Sequence, residues 1–131
     1  MGPFIVIRTF AIRKGKLDAF RQSLPEFFKM IEAKEPRLLA LNAYVNEEGT
    51  ETTFVHVHPD AASMERHEEV AHEPTERLRR EFLDETFSLQ VYGEPSMVMR
   101  EKERHLGEKG IALIVKSEYL GGFIHLAGKA A

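Results

Sequence analysis

The chain has 131 residues, 43% apolar and 30% charged, with a net charge of -3 and no cysteine. This is enough sequence for one cored domain. It excludes disulfides, thiolate metal sites and a cysteine nucleophile, and without an aromatic-interleaved basic stripe it argues against a nucleic-acid partner. No run nears the ~18 apolar residues that cross a bilayer, and the opening MGPFIVIRTFAIRKGK lacks a leader with a small-residue cleavage site, so the expectation is a cytoplasmic protein without membrane association.

Phe4 to Ile12 is rich in β-branched and aromatic residues and predicts a strand. Phe4, Val6, Arg8, Phe10 and Ile12 share one face, and Ile5, Ile7, Thr9 and Ala11 the other. Arg8 is the lone charge, so its face must tolerate a cation or reach solvent. After an Arg13-Lys14-Gly15 turn, Leu17, Phe20, Leu24, Phe27 and Ile31 recur at helical spacing over residues 16–34. Pro25 lies inside that pattern and predicts a kink or a second segment starting behind Ser23, while Pro36 ends the helix. Leu38 to Asn46 alternates as a strand, Glu47-Glu48-Gly49-Thr50 reads as a hairpin loop, and Thr52 to His58 pairs back antiparallel.

Residues 53–72, TFVHVHPDAASMERHEEVAH, hold four of the six histidines. On the strand, Phe54, His56 and His58 face one way and Thr53, Val55 and Val57 the other. Asp60 then reads as a helix N-cap, and Met64, His67, Val70 and Ala71 fall on one arc, which places His67 among apolar residues. Pro74 predicts a break, with the helix resuming over residues 75–85. Phe87 to Tyr92 alternates once more, and Gly93-Glu94-Pro95 closes a βαββαβ order.

That order predicts an α+β, ferredoxin-like domain over residues 1–95, with a four-stranded antiparallel sheet and both helices on one face. The other face, read as carrying Val6, Phe10, Tyr44, Phe54 and Tyr92, is too apolar for water and predicts a homodimer in which two sheets enclose a barrel. Residues 96–131 read as an extension. It comprises a charged helix over 97–108, a buried-type strand over 111–116, a Gly121-Gly122 turn before Phe123 to Leu126, and a frayed end from Gly128. Ile111, Leu113, Val115, Phe123 and Ile124 are expected to pack on the core or on the partner subunit.

Several short motifs resemble the antibiotic biosynthesis monooxygenase family of dimeric α/β barrels. They are Arg13-Lys14-Gly15-Lys16 before the first helix, Glu35-Pro36 before the second strand, Tyr44-Val45 ahead of Glu47-Glu48-Gly49, and Asp60-Ala61-Ala62 opening the helix with His67. The resemblance spans residues 4–95 and implies a monooxygenase that needs no cofactor and acts on a phenolic, quinol or polyketide-like substrate inside the dimer barrel. Two features depart from the family pattern: Arg37 stands where a glycine is usual, and there is no tryptophan. The asparagine, histidine and tryptophan set of the haem-degrading branch cannot be assembled from this chain, which disfavours haem degradation.

In the enzymatic reading His67 removes a proton from a small aromatic or enolic ligand, as an imidazole of reference pKa ~6.5 suits. Asn42, Tyr44, His56 and Tyr92 orient that ligand, with Phe54 and His58 beside them, and Arg8 stabilises the developing anion. The competing reading is structural, with His67 packed on the sheet and bonded to a backbone carbonyl. A third treats the chain as a non-catalytic dimer that binds a small ligand. A fourth uses His56 and His58, with Cα atoms ~6.6 Å apart on one strand face, as metal ligands with His67 or Glu68 as the third. His67 and His72, ~140° apart around a helix, do not converge. The charged run from Glu65 to Glu81 reads as a solvated helix face.

Overall fold

The computed structural model describes residues 2–125. Its elements are β1 (Phe4–Ile12), α1 (Leu17–Lys34), β2 (Ala40–Val45), β3 (Glu51–His58), α2 (Ala61–Phe82), β4 (Leu83–Tyr92), α3 (Met97–Glu108) and β5 (Ala112–Lys116). The sheet order is β2-β3-β1-β4-β5. The expected ferredoxin-like order is present, with the long, β-branched β1 at the centre, antiparallel to both β3 and β4.

The sheet has five strands, not four. β5 adds parallel to β4, from Ser88 opposite Ala112 to Tyr92 opposite Lys116. A parallel neighbour needs a crossover, and α3 supplies it. Ile111, Leu113 and Val115 accordingly pack as expected, against a cluster of Phe4, Val6, Met64, Leu89, Val91 and Met99. Phe123 and Ile124 are exposed; Leu126 and the segment from Gly128 lie outside the described residues.

Neither interior proline breaks its helix. α1 runs through Pro25 and α2 through Pro74. A proline withholds one N–H and crowds the preceding turn, but both helices bury an apolar stripe against the sheet, and that tertiary contact outweighs a local defect. In α2 the stripe is Met64, His67, Ala71 and Leu78, all buried.

The face assignment needs correction. Cross-strand partners point to the same side, so the pairings of Arg8 with Phe54 and Leu89, and of Phe54 with Ala43, put these residues on one face. That face carries the buried Phe4, Val6, Phe10, Phe54, His56 and Val91 and lies under the helices. Val6, Phe10 and Phe54 are thus core residues, whereas Tyr44 and Tyr92 are on the opposite face. Phe54 meets Phe10, Phe20 and Phe27 edge-on at 6.1, 6.3 and 6.3 Å, and burying each such ring contributes about 1.5–3 kcal/mol. The uncovered face has rows Tyr92-Ile5-Val57-Ala40 and Gln90-Ile7-Val55-Asn42, followed by Ser88-Thr9-Thr53-Tyr44.

Candidate functional site

Three imidazoles and one carboxylate meet beneath α2. His56 and His58 come from alternate positions of β3, and His67 from the inward stripe of α2. The His56 and His67 rings stand edge-to-face with centroids 4.6 Å apart, and His58 is 5.7 Å from His67 and 6.0 Å from His56. The carboxylate is Glu35, which caps the C-terminus of α1. Its N–H still closes the last helical bond, to the Ile31 carbonyl, while its φ of -129° and ψ of 72° leave the helix, as a residue before proline must. Pro36 therefore ends α1 and turns the Glu35 side chain inward. The loop is pinned by Arg37, which bonds Asp60 at 2.5 Å. Asp60 in turn caps α2 by accepting from the Ser63 N–H at 2.9 Å.

His67 Nδ1 lies 2.8 Å from Glu35 Oε2, and both side chains are almost fully buried. An ionised carboxylate only accepts, so Nδ1 donates and Nε2 is left as the lone-pair nitrogen. His58 Nδ1 shares a 2.8 Å hydrogen bond with Ser63 Oγ. Burial pushes the His56 imidazole well below its usual value, and the charges of His67, His58 and Arg8 add to the effect. His58 falls to about 4, first through desolvation and then through His67. Two neutral rings therefore flank His67, and its hydrogen-bond partner is the Glu35 carboxyl. The expected backbone-carbonyl partner of His67 is replaced by this carboxylate.

His67 and His56 open onto a cavity of about 370 Å³ between the sheet and the helices, within the range of small-molecule sites. Its walls include Arg8, Phe54, Met64 and Leu89, with Glu103 and Leu106 from α3. Arg8 sits 4.8 Å from the Phe10 ring centroid and donates from Nε to Thr86 Oγ1 at 2.6 Å. Burial lowers its pKa, and Glu68 and Glu76 oppose that shift.

Of the residues singled out from sequence, Arg8, Phe54, His56 and His67 line this one cavity, and His58 stands directly behind. Asn42, Tyr44 and Tyr92 belong to the uncovered face. The enclosed space therefore lies within a single chain, beneath its own helices. Among the described residues no three His, Cys, Asp or Glu side chains are grouped to hold a metal ion, and no helix is long and apolar enough to cross a membrane. Glu35 was legible only as part of a motif. The available signal was an acid at a helix C-terminus, where the dipole favours a base.

No protein-family model and no curated protein matches the chain. Solved structures do. MupZ from Pseudomonas fluorescens aligns over 95% of this chain and 96% of its own, with TM-score 0.72 and 17% identity. A "putative antibiotic biosynthesis monooxygenase" from Bacteroides thetaiotaomicron aligns over 69% and 85%, with TM-score 0.53 and 17% identity. A dimeric protein of unknown function from Bacteroides fragilis, described as having a ferredoxin-like fold, aligns over 66% and 91%, with TM-score 0.55 and 13% identity. At these identities the likeness is one of fold, and the fold is the ferredoxin-like one found among structures described as antibiotic biosynthesis monooxygenases.

Proposed function

We propose that the chain is a cofactor-free monooxygenase of the antibiotic biosynthesis monooxygenase type, acting on a small phenolic, quinol or polyketide-like substrate in the cavity beneath α2. The observation that carries this reading is the buried 2.8 Å hydrogen bond between His67, on the cavity wall, and Glu35 behind it: a base held in one tautomer and orientation by a carboxylate.

His67 Nε2 takes the acidic O–H or C–H proton of the substrate, and Glu35 offsets the imidazolium. Arg8, a cation on the cavity wall, stabilises the substrate anion. His56 and Phe54 hold the ring against the sheet, with His58 fixing His56 and His67 from behind. The electron-rich anion gives an electron to dioxygen, and the two radicals combine at carbon. The resulting peroxide loses water to leave a carbonyl. The sum converts a CH₂ group and O₂ to C=O and H₂O, with the substrate as the only reductant. The uncovered face, bearing Asn42, Tyr44 and Tyr92, is the homodimer surface in this reading. It is supported by the half-buried Ile5, Ile7, Val55 and Val57 at its centre and by the exposure of Tyr44 (63%) and Ile114 (46%).

The test is oxygen uptake over a panel of anthrone-like, quinol and catechol compounds, comparing the parent with His67→Gln. Glutamine still offers Glu35 an N–H but is no base, so kcat should fall by ~10²–10⁴-fold with little change in melting temperature. His67→Ala should in addition destabilise the fold, because it strands Glu35, at about 1–3 kcal/mol. A His67→Gln protein that consumes a panel substrate at the parent rate would remove His67 as the base. A parent that consumes none would leave a ligand-binding module.

A further inference from the structure

Glu68, Glu76 and Glu103 are the carboxylates on the cavity wall, and of these only Glu103, from α3, is buried. Glu103 lies on α3 between Met99 and Leu106, at the four- and three-residue spacing that sets one helix face inward. Met99 and Leu106 pack on Phe4, Val6, Leu89 and Val91, and Glu103 occupies the apolar position between them. It is only 7% exposed, it lines the cavity, and among the described residues its Oε2 has no hydrogen-bond partner. A buried carboxyl left unpaired is costly. Nothing in the packing of α3 requires one, since Ser96 already caps the helix by accepting from the Met99 N–H and Lys102 reaches Glu68 on α2 at 3.8 Å.

We propose that Glu103 donates a hydrogen bond from its carboxyl to a carbonyl oxygen of the bound molecule, so that the site prefers aryl ketones and their enol or phenol forms over hydrocarbons of the same shape. Burial pushes the Glu103 carboxyl up, and Arg100 only partly counters it. A ligand that expels water from the cavity favours the neutral form further. With His67 as base on α2 and Glu103 as donor on α3, the two polar groups reach the one cavity from different helices. A carbonyl held by Glu103 makes the hydrogens on the adjacent carbons, or at a vinylogous position, more acidic, and these are the protons His67 would remove. The inference rests on the proposed reading of this cavity as the substrate site.

The experiment needs no turnover. Binding of 9-fluorenone and of fluorene, which differ only in C=O against CH₂, is measured on the parent, Glu103→Gln and Glu103→Leu, together with the infrared carbonyl frequency of the bound ketone. The parent should prefer the ketone by about tenfold, the worth of one good hydrogen bond, and should lower its carbonyl frequency. Glu103→Leu should lose both effects, and Glu103→Gln, which keeps an N–H donor, should retain most of both. A Glu103→Leu protein with unchanged preference and frequency overturns the role of Glu103 and leaves the cavity reading intact. Binding of neither probe by the parent overturns both. Should Glu103→Leu fail to fold, the carboxyl carbon resonance of Glu103 in the parent decides: it should shift with fluorenone and not with fluorene, and no shift overturns the inference.

Discussion

The two faces of the sheet use the same strands for opposite ends. Under the helices, β1, β3 and β4 present large aromatics and aliphatics, and into that apolar layer the chain inserts Arg8, His56, His58 and His67. On the uncovered face the same strands present Ile5, Ile7, Val55 and Val57, ringed by Thr9, Asn42, Tyr44, Thr53 and Gln90. The first face holds polar groups in a low-dielectric enclosure, where each is oriented by a neighbour and a charge is felt strongly. The second has β-branched residues at its centre, which is what a surface needs to bury against another surface. Each strand alternates between these roles with period two, so one residue of register slip would exchange them.

Breaking the chemical face should have the larger effect, and the loss of turnover in His67→Gln is its extreme. The face proposed for association comes next. Val55 sits at its centre between Ile7 and Asn42, so Val55→Glu places a carboxylate where a second copy would desolvate it. Dimer dissociation should strengthen by about 100-fold or more, with the helical signal and fluorenone binding retained. Sedimentation equilibrium checks this, and an unchanged association constant would mean that the copies do not meet through this face. A smaller effect is expected from Glu35→Gln, which keeps the bulk beside His67 but removes the charge that offsets its proton. A fall in kcat of ~10–100-fold with KM nearly unchanged is the expected split, and a change confined to KM would reassign Glu35 to substrate binding.

Much of this contrast was legible in the sequence, because strand alternation and the helical stripe around His67 are local signals. What escaped was non-local. Pro25 and Pro74 predict breaks from backbone chemistry alone, yet each helix is held across its proline by packing against the sheet. The parallel pairing of β5 depends on where α3 lands, which no strand pattern encodes. The alternation correctly grouped Phe54 with His56 and His58 but could not say which group the helices would cover. Glu35 and Glu103 share a signature that can be read: an acid where the local pattern calls for something else, a base at a helix C-terminus in one case and an apolar residue in the other.

The smallest expected effect concerns the price of holding His58 uncharged. Its folded value is about 4 against 6.5 for the free side chain, chiefly through desolvation, with His67 and Arg37 adding and Asp60 opposing. Between those values the unfolded chain binds a proton at His58 that the folded chain does not, so stability rises with pH across the window and is lost as pH falls from 6.5 towards 4. His56 is shifted in the same direction, again mainly by burial, and should extend the loss to lower pH. Asp60 and Glu76, held below their usual values by Arg37 and Arg79, enter only near the bottom of the window, whereas Glu103, pushed up by burial, opposes the histidines by favouring the fold as pH falls. Melting temperature should therefore be nearly flat above about pH 7 and decline through about pH 6 to 5, where histidines dominate the titration. His58→Gln, which keeps a polar group near Ser63 but cannot titrate, should show a shallower decline over that interval. An equal slope in parent and variant would mean that His58 is protonated in the fold.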